Sequence, residues 1–161
     1  MKILIVGDTH GHNRILKDLV KQYPNMDKYL HTGDSESYPM ELAPFESVKG
    51  NCDYYPFDEK LLIRNMAGNI LIKHLPYFSS KESEDAYILI HGHTHVYKIK
   101  QEDNHLVLSP GSTSRPRDGT NGTYIILNIR DSKINVDVID TFSKSVLTTY
   151  EIMYNQPGEK E

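Results

Sequence analysis

Residues 2–7, KILIVG, form an unbroken apolar run of the kind that fills a strand covered on both faces. Residues 13–22 (NRILKDLVKQ) then place Ile15, Leu16, Leu19 and Val20 on one helical face, with Asn13 at the N-cap. Residues 27–32 read as a second strand that ends at Gly33-Asp34. A strand, a helix and a strand in that order imply a parallel pair joined by a right-handed crossover, which commits the opening of the chain to the α/β class.

The rest is richer in β. Leu61–Arg64 and Asn69–Lys73 flank Asn65-Met66-Ala67-Gly68 as a hairpin; Val96–Lys100 and Leu106–Leu108 flank the polar loop Gln101–His105 as another; Thr123–Ile129 and Ile134–Ile139 form a third around residues 130–133. Tyr87–Ile90 is a further apolar run, and a short helix is expected within Ser35–Pro44. Ser79–Asp85 is polar and reads as a loop or one helical turn. At 161 residues the chain suits one domain, expected over residues 1–155 with a frayed tail at 156–161. The sum is a single α/β domain with sheets packed face to face and a few outer helices.

With 38% hydrophobic and 25% charged residues the composition is that of a soluble protein, and no apolar run approaches the roughly 20 residues that span a bilayer. The apolar stretch after Lys2 is too short for a signal peptide and leads directly into Asp8, so it reads as a strand of the mature protein. Cys52 is the sole cysteine; no internal disulfide is possible, and a cytoplasmic location is expected. A net charge of -4 without a basic run argues against gripping long nucleic acid, but leaves room for a nucleotide or a short single strand in a cleft.

Eight histidines are present, and they cluster. Asp8-Thr9-His10 follows the first strand, Gly33-Asp34 the second and Gly50-Asn51-Cys52-Asp53 a third short apolar stretch. His74 ends the strand at 70–73, and His91-Gly92-His93-Thr94-His95 ends the run at 87–90. In open α/β sheets the carboxyl ends of strands are where ligands bind, so five separate segments could converge on one edge. Carboxylate, imidazole and amide oxygen suit Mn, Fe, Zn, Co or Ni, and no thiolate cluster suggests a structural zinc ribbon. Taken singly, each feature has an ordinary reading. Asp8 and His10 could form a strand-end turn, Asp34 an N-cap and Asn51 a turn signal; His74, His93 and His95 could be surface or core histidines. Independent turns would not supply ligand-type residues at every strand end, which favours a metal site.

The motifs GDTHG at 7–11, GD at 33–34, GNCD at 50–53, GHTH at 92–95 and SPGSTSRPR at 109–117 run in the order found in the calcineurin-like metallophosphoesterase superfamily. The chain most resembles the small bacterial and archaeal phosphodiesterases of the YfcE type within it. That resemblance implies a β-sandwich flanked by helices, with the site on loops at one edge. It implies two divalent metal ions, with manganese expected and Fe, Ni, Zn or Co also suited. Asp8, His10 and His95 would hold the first and Asn51, His74 and His93 the second, with Asp34 bridging both. It further implies in-line attack on a phosphate ester by a metal-bridging hydroxide, with Asn51, Asp34 and His10 as the residues expected to act in catalysis.

Two positions depart from the pattern. His74 is followed by Leu75-Pro76-Tyr77 where the family usually carries a Gly-His pair, and the stretch from His74 to His93 is short, which suggests a trimmed helix and a more open cleft. Cys52 stands where larger relatives carry a histidine used as a leaving-group acid, so that role is unassigned and aryl esters are the expected best substrates. Arg115 and Arg117 could contact a phosphate or pair with surface carboxylates. His12 could face the cleft or cap a turn, and Asp53 could orient a metal ligand or serve turn chemistry. His31 and His91 read as structural, and Tyr54, Tyr55 and Tyr77 as either pocket wall or routine rim. The expected partner is a small phosphate ester or nucleotide, with no membrane and no extended nucleic-acid groove; exposed strand edges would permit a homodimer or higher oligomer. The rival readings are a phosphomonoesterase or nucleotidase on the same scaffold, and a non-catalytic binding scaffold such as the retromer subunit of this fold.

Overall fold

A computed structural model describes residues 1–154; the tail expected at 156–161 and the domain end expected at 155 lie outside the described residues. The chain forms two mixed β-sheets packed face to face. Six strands make the first: β1 (Lys2–Val6), β2 (Lys28–His31), β3 (Phe45–Ser47), β9 (Thr123–Arg130), β10 (Lys133–Asp140) and β11 (Val146–Met153), in the order β11-β10-β9-β1-β2-β3. Five make the second: β4 (Lys60–Ile63), β5 (Ile70–Lys73), β6 (Ile88–Ile90), β7 (Tyr97–Glu102) and β8 (His105–Pro110), in the order β4-β5-β6-β8-β7.

β1, β2 and β3 run parallel, as do β5, β6 and β8. The expected crossover between β1 and β2 is made by α1 (Arg14–Gln22), which buries Leu16 and Leu19. Burying two such side chains contributes roughly 1.5–3 kcal/mol each. β1 is covered on both faces, as its continuous apolar run requires. Ile3 and Ile5 point into the filling between the sheets with Ile72, Ile90, Leu108 and Ile125, while Leu4 and Val6 pack with α1. The three expected hairpins form as β4–β5, β7–β8 and β9–β10.

Several local features differ from the sequence reading. The polar loop at 101–105 tightens to a turn at Asp103-Asn104, both in left-handed backbone that matches strand twist. The helix in 35–44 is a single 3-10 turn, Pro39–Leu42. Residues 80–85 form a helical turn, α2 (Ser80–Asp85), because Ser79 and Glu82 make a reciprocal capping box. Asn13 occupies the N-cap of α1 without capping it; its amide donates instead to the Ser35 carbonyl at 3.0 Å. β11 was not anticipated: five of its eight residues are exposed, and it pairs with β10 over nearly its whole length.

Candidate metal centre

The ends of six parallel strands converge at one edge of the sandwich. β1 delivers Asp8 and His10, β2 delivers Asp34, and β3 leads to Asn51. β5 ends at His74, β6 at His93 and His95, and β8 at Ser112. The loops are forced into unusual backbone there. Asp8, His10, Asp34, His93 and His95 all have left-handed φ, between 45° and 71°. Two glycines beside these loops are needed for close approach: a Cβ on Gly50 would lie 2.0 Å from Asp34 Oδ1, and one on Gly92 2.9 Å from Asp8 Oδ2.

Asp8, His10 and His95 bring ligand atoms within 4.8 Å of one another, and so do Asp34, His74 and His93. In the first trio, His95 Nε2 lies 3.5 Å from Asp8 Oδ1 and 3.2 Å from His10 Nε2. In the second, His74 Nε2 lies 3.2 Å from Asp34 Oδ2, and His93 Nδ1 3.3 Å from His74 Nε2. Asn51 Oδ1 sits at 2.9 Å from His74 Nε2 and 3.1 Å from His93 Nδ1. Asp34 Oδ2 is 3.9 Å from His10 Nε2, so the carboxylate of the second trio also faces the first.

The surrounding hydrogen bonds aim these atoms. His95 Nδ1 donates to the Arg115 carbonyl at 2.7 Å and His74 Nδ1 to the Thr32 carbonyl at 2.8 Å, which turns both Nε2 atoms inward. Asp34 Oδ1 accepts from the Cys52 N–H at 2.8 Å. Asp53 is buried and accepts from the N–H groups of Asp34, Glu36 and Gly50, tying the second ligand loop to the third. Ser112 Oγ donates to the Asp8 carbonyl at 2.8 Å and Ser114 Oγ to that of Thr9 at 2.9 Å.

The donor set fits divalent cations. Asp8 is fully buried, its Oδ1 has no hydrogen-bond partner among the described residues, and burial pushes its carboxyl up to about 7. A buried carboxylate oxygen facing two imidazole nitrogens is unsatisfied unless a cation joins them. Burial opposes ionisation at Asp34 and His74 as well. Their mutual contact, with the Cys52 N–H on Asp34 and the Asp8 charge near His74, still holds Asp34 below the usual carboxylate range and His74 above the usual histidine range. A positive charge is favoured between them, as a proton or as a metal.

The other expected residues divide. Arg115 and Arg117 are exposed on the loop after β8 and make no ion pair among the described residues; burial lowers His95, with the Arg117 charge acting in the same direction, whereas at Asp8 that charge only partly opposes the upward push of burial. His12 is exposed and stands outside both trios. His31 is buried between the Gly33 N–H and Thr9 Oγ1, and burial lowers it to about 4. His91 is buried beside Phe78, with Nδ1 2.8 Å from the Gly92 carbonyl and Nε2 without a hydrogen-bond partner among the described residues. Glu36, overlooked in the sequence, reaches within 3.8 Å of His10 Nδ1 and groups with Cys52. Its only sequence signal is its place two residues after Asp34. Thr32 and Ser112 were also overlooked, because they act through hydrogen bonds that the sequence does not display.

The profile of the calcineurin-like phosphoesterase superfamily domain matches residues 1–132. The probable metallophosphoesterase YsnB of Bacillus subtilis is 30% identical over 155 residues, covering 87% of this chain and 91% of its own. The crystal structure of a conserved uncharacterized protein from Streptococcus pneumoniae, a predicted phosphoesterase, superposes with a TM-score of 0.81 at 29% identity over 94% of this chain and 97% of that one. YfcE, a phosphoesterase from E. coli, shares the fold with a TM-score of 0.74 at 19% identity, over 96% of this chain and 100% of its own.

Proposed function

The chain belongs to the calcineurin-like phosphoesterase superfamily, and on that premise we propose that it is a phosphodiesterase working with two divalent cations, manganese by preference. The observation that supports this reading is the position of Asp34, whose Oδ2 lies 3.2 Å from His74 Nε2 in its own trio and 3.9 Å from His10 Nε2 in the other. Asp8, His10 and His95 would hold one cation; His74, His93 and Asn51 the other; Asp34 both. A metal pair acidifies water and neutralises charge growing on the phosphoryl oxygens.

The chain's own groups set the geometry for in-line displacement. Asp53 accepts the Asp34 backbone N–H and the Cys52 N–H donates to the Asp34 carboxylate; the Thr32 and Arg115 carbonyls fix the imidazoles of His74 and His95. Asn51 stands at the open side with exposed His93, where its amide N–H can reach a phosphoryl oxygen while Oδ1 faces the second trio. Arg115 and Arg117 lie on the loop whose Arg115 carbonyl accepts from His95, and would donate to the same phosphate. No imidazole follows Asn51. Burial and the charges of Asp34, Glu36 and Asp53 raise the Cys52 thiol, which makes it a weak proton donor. Esters with aryl leaving groups are therefore the favoured substrates.

All seven expected ligands are present as ligand-type side chains, which weighs against a binding scaffold without activity. No helix among the described residues is long and apolar enough to cross a membrane, and we place the protein in the cytoplasm. The test is metal content and hydrolysis measured together. Wild-type protein should carry close to two manganese equivalents and hydrolyse bis-p-nitrophenyl phosphate faster than p-nitrophenyl phosphate. Asp34→Ala should lose metal and at least about 100-fold in rate. Faster hydrolysis of the monoester would favour the phosphomonoesterase reading; metal-free, inactive wild-type protein in added manganese would favour the scaffold.

A further inference from the structure

A second feature adjoins the metal centre. Beyond Asn51 and His74 a cleft of about 580 Å³ opens, and three lysines, Lys49, Lys60 and Lys73, line it. That volume suits a small organic ligand. Lys60 and Lys73 are direct cross-strand partners in the β4–β5 pair, an arrangement in which like charges repel. One carboxylate, Glu82, answers both, with Lys73 Nζ at 3.1 Å and Lys60 Nζ at 3.6 Å, and it also accepts the Ser79 N–H. Lys49 directly precedes the Gly50-Asn51 turn and makes no ion pair among the described residues.

The cleft's three lysines face three acids, Glu82, Asp53 and Glu59, so its formal charge balances, but the ion pairing does not. Asp53 is occupied by three backbone N–H groups, which leaves Glu59, exposed at the surface. Two opposed ammonium groups sharing one carboxylate, and a third with none, leave capacity for another anion. Its distance from the ligand trios is short, because Asn51 and His74 belong to both the cleft wall and the metal centre.

We propose that this cleft is a subsite for a second phosphate group, so that the preferred substrates are phosphate esters carrying another phosphate on the same small molecule. The inference rests on the phosphodiesterase reading for the position of the scissile group, not for the cleft's affinity for an anion.

The test compares kcat/KM for thymidine 5′-(p-nitrophenyl phosphate) with that for the same ester bearing a 3′-phosphate, in manganese-loaded protein. The added phosphate should raise kcat/KM about tenfold, mainly through KM. In Lys49→Ala/Lys60→Ala the ratio of the two esters should fall to near one. Lys49→Gln/Lys60→Gln, which keeps much of the apolar stems, serves if the alanine pair does not fold. Equal kcat/KM for both esters in the wild type, or a ratio unchanged by the double substitution, overturns the proposal. If neither ester is turned over, the phosphodiesterase reading fails on its own. The subsite is then tested alone by calorimetric titration of metal-free protein with thymidine 5′-monophosphate and thymidine. Tighter binding of the monophosphate that disappears in the double variant upholds the subsite; equal affinities in the wild type refute it.

Discussion

Left-handed backbone is concentrated where the chemistry is expected. Asp8, His10, Asp34, Glu36, His93 and His95 all adopt it, each at a conformational cost of about 1–3 kcal/mol. The hydrogen bonds beneath them offset that cost, and His31 is central to these. Its Nδ1 accepts from the Gly33 N–H and its Nε2–H donates to Thr9 Oγ1; the Thr9 hydroxyl donates to Asn13 Oδ1, and Asn13 donates to the Ser35 carbonyl. One buried imidazole thus links the loops of Asp8 and Asp34. Burial depresses His31 from 6.5 to about 4, so between those values the unfolded chain binds a proton that the native state does not. Stability from this group is full above pH 6.5 and is lost as pH falls toward 4, on the order of 3 kcal/mol. His31→Gln should therefore flatten the fall in urea midpoint between pH 7 and pH 4. Identical slopes in the two proteins would show that His31 is not the group responsible.

At the level of elements, the strand ends carried most of the legible information. A period-2 or continuous apolar run followed by Asp, Asn or His was readable because a strand's burial and its terminal turn are local in sequence. β1, β2, β5 and β6 were found that way, along with the ligand-type residues that follow them. What escaped was set by distant partners. β11 shows exposed residues along most of its length and owes its place to pairing with β10. Glu36 and Ser112 look like ordinary turn residues until the fold brings them to His10 and the Asp8 carbonyl. α2 is an intermediate case. It has no buried residue, hence no periodicity, yet Ser79 and Glu82 stand at capping-box spacing. Ser79→Ala should cost about 1 kcal/mol in denaturant unfolding. Because Glu82 also holds Lys60 and Lys73, Glu82→Ala should cost more than loss of the cap alone; equal costs for the two variants would mean those ion pairs contribute nothing.

For the molecule as a whole, the candidate ligands are divided between the sheets. Asp8, His10, Asp34 and Asn51 follow strands of the first, and His74, His93 and His95 follow strands of the second. Metal bound only by the native state should stabilise both sheets together, by about 2.7 kcal/mol at a hundredfold excess over Kd. Chelator-treated protein should accordingly melt several degrees below manganese-loaded protein, and Asp34→Ala should melt alike in both conditions. No difference in the wild type would mean that the two sheets are not joined through a cation.

That division gives the sandwich filling a second role. Ile72 and Ile90 sit between the sheets only two and three residues before His74 and His93. Trimming either would slacken the jaws of a vice whose faces carry opposite halves of the working centre. Mutational tolerance in the interior is then bounded by the gauge of that gap as well as by the melting point.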